Sequence, residues 1–120
     1  MTTKARSPIT THVLDTAEGR PARGVAVRLE LQDRGGDAWT EIAAGHTDGD
    51  GRLSDLLPVG GRLEARTYRL TFDTGAYFRA AGRPVFYPRV EVTFQVSAPD
   101  EHHHVPLLLS PFGYSTYRGS

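Results

Sequence analysis

Cysteine is absent from the 120-residue sequence. Its absence removes disulfides, thiolate nucleophiles and thiolate metal sites at once, and it fits a reducing compartment. Net charge is absent too. Lys and Arg total 14 and Asp and Glu total 14, so no basic face for nucleic acid is implied, and little repulsion keeps copies of the chain apart. No apolar run approaches the roughly 20 residues of a membrane-spanning helix. The polar start, Met1 to Pro8, lacks the apolar stretch of a secretory signal, and no Ser-Lys-Leu type address follows. The expected location is cytoplasmic. Also missing are a Gly-rich phosphate loop, a nucleophile elbow and a carboxylate pair arranged for glycoside chemistry.

What is present alternates. In Gly24 to Leu31, the residues Val25, Val27, Leu29 and Leu31 fall on one face while Ala26, Arg28 and Glu30 fall on the other. That pattern is a half-buried antiparallel strand. Ile9 to Leu14, Trp39 to Ala44, Tyr68 to Asp73, Arg89 to Val96, His103 to Leu109 and Tyr114 to Gly119 read as further strands, and Arg52 to Leu57 as a short extended piece. Turn signals separate them, including the double-glycine loop Thr47-Asp48-Gly49-Asp50-Gly51. One segment departs from period 2. Thr74 to Ala81 is rich in helix formers, follows a capping-type Asp73 or Thr74 and is stopped by Gly82 and Pro84, which predicts one short helix. Strands at this spacing predict an all-β sandwich or barrel. The domain is expected to run over 9–120, after a flexible segment 1–8.

The five histidines, His12, His46, His102, His103 and His104, are the side chains best placed to move protons near neutral pH. Adjacent strand residues point to opposite faces, so 102–104 cannot act as one three-ligand metal site, and no carboxylate or cysteine stands at a ligand spacing. No metal is expected. His103 shares parity with Val105, Leu107 and Leu109 and so faces the core. His104 points the other way, towards solvent or another subunit. His12 shares a face with Thr10 and Leu14. Taken singly, His12, His104 and Arg52 read as surface residues, although a guanidinium fork after a glycine loop suits planar, carbonyl-rich or anionic ligands.

Three segments together resemble the transthyretin-like 5-hydroxyisourate hydrolases. They are Ile9-Thr10-Thr11-His12-Val13-Leu14-Asp15 followed by Gly19, Arg20, Pro21 and Ala22; Thr47-Asp48-Gly49-Asp50-Gly51-Arg52; and His102 to Ser120, closing on Tyr117-Arg118-Gly119-Ser120. The closing tetrapeptide is the most specific of these, because it separates the hydrolases from the hormone-carrying transthyretins.

The resemblance implies a transthyretin-like (prealbumin-like) β-sandwich of two antiparallel sheets with one short helix. It also implies cofactor-free, metal-independent hydrolysis of a purine-derived ring, opening the six-membered ring of 5-hydroxyisourate in urate breakdown. Carried onto this sequence, the catalytic residues are His12, Arg52, His104 and Ser120, and the substrate-binding residues are Tyr117, Arg118 and Gly119. Family members place these groups between the subunits of a homotetramer. The sequence departs from the family pattern where many relatives have His-Tyr-His, because His103 stands at the tyrosine. The competing expectations are a transthyretin-type carrier of a small ligand and a noncatalytic β-sandwich module. The closing tetrapeptide argues against the carrier.

Overall fold

The computed structural model describes residues 6–120. The elements are β1 (Ile9–Asp15), β2 (Arg20–Pro21), β3 (Ala26–Gln32), β4 (Trp39–His46), β5 (Arg52–Leu53), β6 (Thr67–Phe72), α1 (Thr74–Ala80), β7 (Val90–Gln95), β8 (His103–Ser110) and β9 (Gly113–Thr116). They build two sheets. One is ordered β2-β1-β8-β9, with β5 beside β2 on the same edge of β1; the other is ordered β4-β3-β6-β7. The inner faces carry the alternating residues. Ile9, Val13, Val105, Leu107 and Leu109 from the first sheet meet Val27, Leu29, Leu70, Phe72 and Val90 from the second, all buried. Burying each such side chain is worth about 1.5–3 kcal/mol, and this is what fixes which face of every strand looks outward. The all-β sandwich expected from spacing is therefore the observed architecture.

The two expected sheets form and are antiparallel but for one pair. β1 and β8 run parallel, with Ile9 opposite His103 and Asp15 opposite Leu109. No hairpin joins them, since nearly the whole domain lies between, and only a tight connection forces neighbouring strands to be antiparallel. Two further boundaries differ. The extended piece after Arg52 pairs only over Arg52–Leu53. The last strand stops at Thr116 rather than Gly119, and beyond it Gly119 alone bridges to His104.

The predicted helix forms over Thr74–Ala80, capped by the Asp73 carboxylate, which accepts from the Ala76 N–H at 3.1 Å. Two turns are too few to stand alone in water, and the helix is held because Phe78 is fully buried against the core. Of the segment 1–8 expected to be flexible, 1–5 lie outside the described residues. Ser7, by contrast, is fully buried. Its hydroxyl donates to the Ile9 carbonyl at 2.6 Å and accepts from the Leu57 N–H at 3.1 Å. The packed domain thus begins before Ile9. Among the described residues, no helix is long and apolar enough to cross a membrane.

Candidate active site

Three neighbouring strands bring His12, Arg52 and His104 together on the outer face of the first sheet. β1 presents Thr10 and His12, β5 sets Arg52 directly across from His12, and β8 sets His104 directly across from Thr10. His12 and His104 are therefore diagonal neighbours on one surface, both half-buried.

The loop before Arg52 explains its placement. The Asp48 carboxylate accepts from the N–H groups of Asp50 at 2.9 Å and Arg52 at 3.0 Å, folding the loop back on itself. Such Asx turns are a local habit of aspartate. Gly51 then touches β1, and its carbonyl accepts from the Val13 N–H at 2.8 Å. Its φ is +75°, and a Cβ there would lie 2.4 Å from the Val13 carbonyl oxygen. Only glycine can make that approach. The same loop orients His12, whose Nε2 lies 2.9 Å from the Asp50 carbonyl. A carbonyl only accepts, so Nε2 carries the proton and the neutral ring keeps its lone pair on Nδ1.

His104 is held from two sides. Its Nδ1 lies 2.8 Å from the hydroxyl of Thr10, and the same hydroxyl lies 3.0 Å from Nε2 of His102. The rings of His102 and His104 stack, with centroids 6.3 Å apart. On the other side, the Gly119 N–H donates to the His104 carbonyl at 2.8 Å. Desolvation, reinforced by the nearby charge of Arg52, pushes His104 below its ordinary pKa of 6.5, and desolvation with the charge of Arg6 does the same to His102. Both rings are therefore neutral at physiological pH, ready to accept a proton.

Gly119 has no room for a side chain, because a Cβ there would stand 2.5 Å from Cδ2 of His104. Gly119→Ala must push that ring off its Thr10 partner. Misplacing a reacting group by about 1 Å can cost about 10²-fold, so a loss of kcat of that order is expected at unchanged thermal stability. Steady-state kinetics beside a melting curve check it, and a Gly119→Ala protein of normal kcat would show that the contact is slack.

The other expected site residues lie further off. Tyr117 and Arg118 border a separate pocket of about 310 Å³ with Val92, Phe94, His103 and Val105. Arg118 also donates to Glu101 at 3.1 Å. Ser120 follows Gly119 and is exposed. His103 faces inward as expected, is 4% exposed, and its Nδ1 sits 2.9 Å from the Glu101 carbonyl. Thr10 and His102 are the residues that sequence reasoning passed over. Parity placed them beside His12 and His104, but nothing local said that β1 and β8 are neighbours. Among the described residues, no group of three or more His, Asp or Glu side chains is arranged to hold a metal ion.

The fold and this site define a two-sheet β-sandwich with a histidine–arginine site on an outer sheet face. The chain belongs to the HIUase/Transthyretin family, whose profile matches residues 9–119. It is 46% identical over 114 residues to the 5-hydroxyisourate hydrolase of Mus musculus, covering 95% of this chain and 96% of that one. Its structure resembles that of Klebsiella pneumoniae 5-hydroxyisourate hydrolase, with a TM-score of 0.81 and 37% identity over 93% of this chain and 97% of that one. It resembles equally well a sea bream transthyretin solved with thyroxine, with a TM-score of 0.86 and 36% identity over 94% and 95% of the two chains. Fold likeness alone thus spans a hydrolase and a thyroxine-bound transthyretin, and the site has to separate them.

Proposed function

We propose that this chain hydrolyses 5-hydroxyisourate to 2-oxo-4-hydroxy-4-carboxy-5-ureidoimidazoline in urate breakdown, as a cytoplasmic homotetramer with its sites between subunits. The observation that carries the reading is the convergence of two imidazoles and a guanidinium, His12, His104 and Arg52, on one sheet face. A pocket serving only an apolar ligand has no use for two orientated proton carriers. In this reading the neutral imidazoles activate water and return a proton to the leaving nitrogen. Arg52 stabilises the negative charge that develops on the attacked carbonyl oxygen. Tyr117, Arg118, Gly119 and Ser120 hold the edges of the ring. The face is half open in one chain, whereas small ligands usually have about 70–90% of their surface buried. A second copy laid across the sheet supplies the missing wall.

The test is the ultraviolet absorbance decay of freshly generated 5-hydroxyisourate, with and without protein, since the compound also decays unaided. Accelerated decay by a species of tetrameric mass in light scattering is expected. No acceleration by an assembled tetramer would overturn the reading in favour of a carrier.

The pH profile has a predictable sign. The pKa of His104 is lowered below its ordinary 6.5, so the base stays free at pH 6.5 and is lost only as the pH falls through the lowered value. The acid limb of kcat should accordingly fall below pH 6.5. Folding stability contributed by the neutral rings should decline over the same range, because the unfolded chain takes up protons first. An acid limb centred above pH 7 would contradict the assignment.

A further inference from the structure

The hydroxyl of Thr10 has one hydrogen and two imidazole neighbours, Nδ1 of His104 at 2.8 Å and Nε2 of His102 at 3.0 Å. It can donate to only one of them and must accept from the other. The two rings are therefore not independent. If His104 carries its proton on Nδ1, it donates to Thr10, Thr10 donates to His102, and Nε2 of His104 is left as a base. If the chain is reversed, Nε2 of His104 carries the proton. Thr10 is 4% exposed, so water competes little for these bonds. His102 also borders a second cleft, of about 520 Å³, with Arg6, Ser7, Arg62, Asp100 and Glu101.

We propose that Thr10 and His102 form a proton relay from His104 to this second cleft, with His102 the positioning residue that sets which nitrogen of His104 is basic. This deepens the hydrolase reading and rests on it. Cleaving a cyclic amide with water yields a carboxylate and an N–H, so near neutrality each turnover releases one proton. In the relay, Nε2 of His104 takes a proton from the attacking water as the new C–O bond forms. The proton on Nδ1 moves to the Thr10 oxygen, and the Thr10 hydrogen moves to Nε2 of His102. The second water-derived proton passes through His12 to the leaving nitrogen as the C–N bond breaks. His102 discharges its Nδ1 proton into the cleft, and the starting tautomers return as each ring gives up its Nε2 proton and takes one on Nδ1, a one-for-one exchange with solvent that leaves the proton count unchanged. The charged groups facing the pair are Arg52, His12 and Arg6 around His104, with Arg6, His103 and Arg118 around His102. The cationic ones among them oppose a proton resting on either ring, which favours transit over storage. Asp100 and Glu101 line the cleft beside Arg6 and Arg62 and offer carboxylates to take the proton on.

The experiment compares Thr10→Val, Thr10→Ser and His102→Gln by steady-state kinetics and by two-bond ¹H–¹⁵N correlation spectra of the His104 ring. Valine keeps the volume of threonine without its hydroxyl, and glutamine keeps a hydrogen bond without a titratable nitrogen. Thr10→Val and His102→Gln should each lower kcat about 10-fold with KM within about twofold, a fraction of the full general acid–base contribution. The double variant should be no worse than either single one, and Thr10→Ser should restore the rate. The ¹⁵N shifts of His104 should change in His102→Gln although the two rings share no bond. Unchanged kcat together with unchanged His104 shifts would overturn the relay and leave the hydrolase standing. A wild type that turns nothing over while His104 still responds to His102→Gln would instead sink the hydrolase reading and leave the coupling. His102 is only half-buried, so its variant keeps the test open if Thr10→Val does not fold.

Discussion

Replacing His104 by alanine should lower turnover of 5-hydroxyisourate by about 10²–10⁴-fold, the usual worth of a positioned general acid or base. The fold should survive. His104 is half-buried on an outer face, and its backbone pairing with Gly119 does not involve the imidazole. His12→Ala should cost a similar factor, because the ring is aimed by the Asp50 carbonyl rather than by the core. The two losses should not multiply, since groups that act on one water fail together. Arg52→Lys is the sharper control at the third corner. It keeps the charge but loses the planar fork, so kcat should fall while the acid limb of the profile stays in place. Normal turnover by a folded His104→Ala protein would remove this residue from the mechanism, and the relay through Thr10 with it.

Asp15→Ala should destabilise the fold by about 3–5 kcal/mol, the range for breaking one side of a buried ion pair. Asp15 is 0% exposed. Its carboxylate accepts from Arg83 at 2.6 and 3.2 Å, from the Tyr77 hydroxyl at 2.8 Å and from the Glu18 N–H at 3.0 Å. Alanine would leave the guanidinium and the phenol without their acceptor. Burial alone would raise the Asp15 pKa, but the hydrogen bonds from Arg83, Tyr77 and Glu18 outweigh it and hold the carboxyl below its ordinary 3.8. Burial and the same contact push Tyr77 up to about 12. The contribution of Asp15 is therefore complete above its ordinary pKa and is lost as the pH falls through the lowered folded value. Urea titration at pH 7 should show a lower midpoint at unchanged slope for Asp15→Ala, and a smaller change for Asp15→Asn. A midpoint within error of wild type would mean that Arg83 and Tyr77 find other partners.

Asp15 illustrates how unevenly the molecule can be read from its sequence. It stood in the motif Thr-His-Val-Leu-Asp without an assigned task, because its side-chain partners come from the helix and the turn after it, more than 60 residues away. The outward direction of His104 and the inward direction of His103 were legible, since the pleat alternates side chains wherever a strand forms. Helix α1 was legible for the same kind of reason: its cap, Asp73, and its stop, Gly82, are local. Arg52 was legible as the residue leaving a glycine loop, but not as the one facing His12.

The sequence by itself determined most of the strands, the alternation of their faces, the one helix and the residues able to carry protons. These follow from backbone sterics and from the burial of alternate apolar side chains, both of which act within a few residues. Only the tertiary structure decided that β1 lies parallel to β8, that one threonine hydroxyl is shared by two histidines, and that glycine is required at position 119. The first two depend on pairing between segments more than 90 residues apart, and the third on the bridge between Gly119 and His104. Such pairing is set by the cooperative packing of the whole sandwich, to which no local stretch of sequence holds the register.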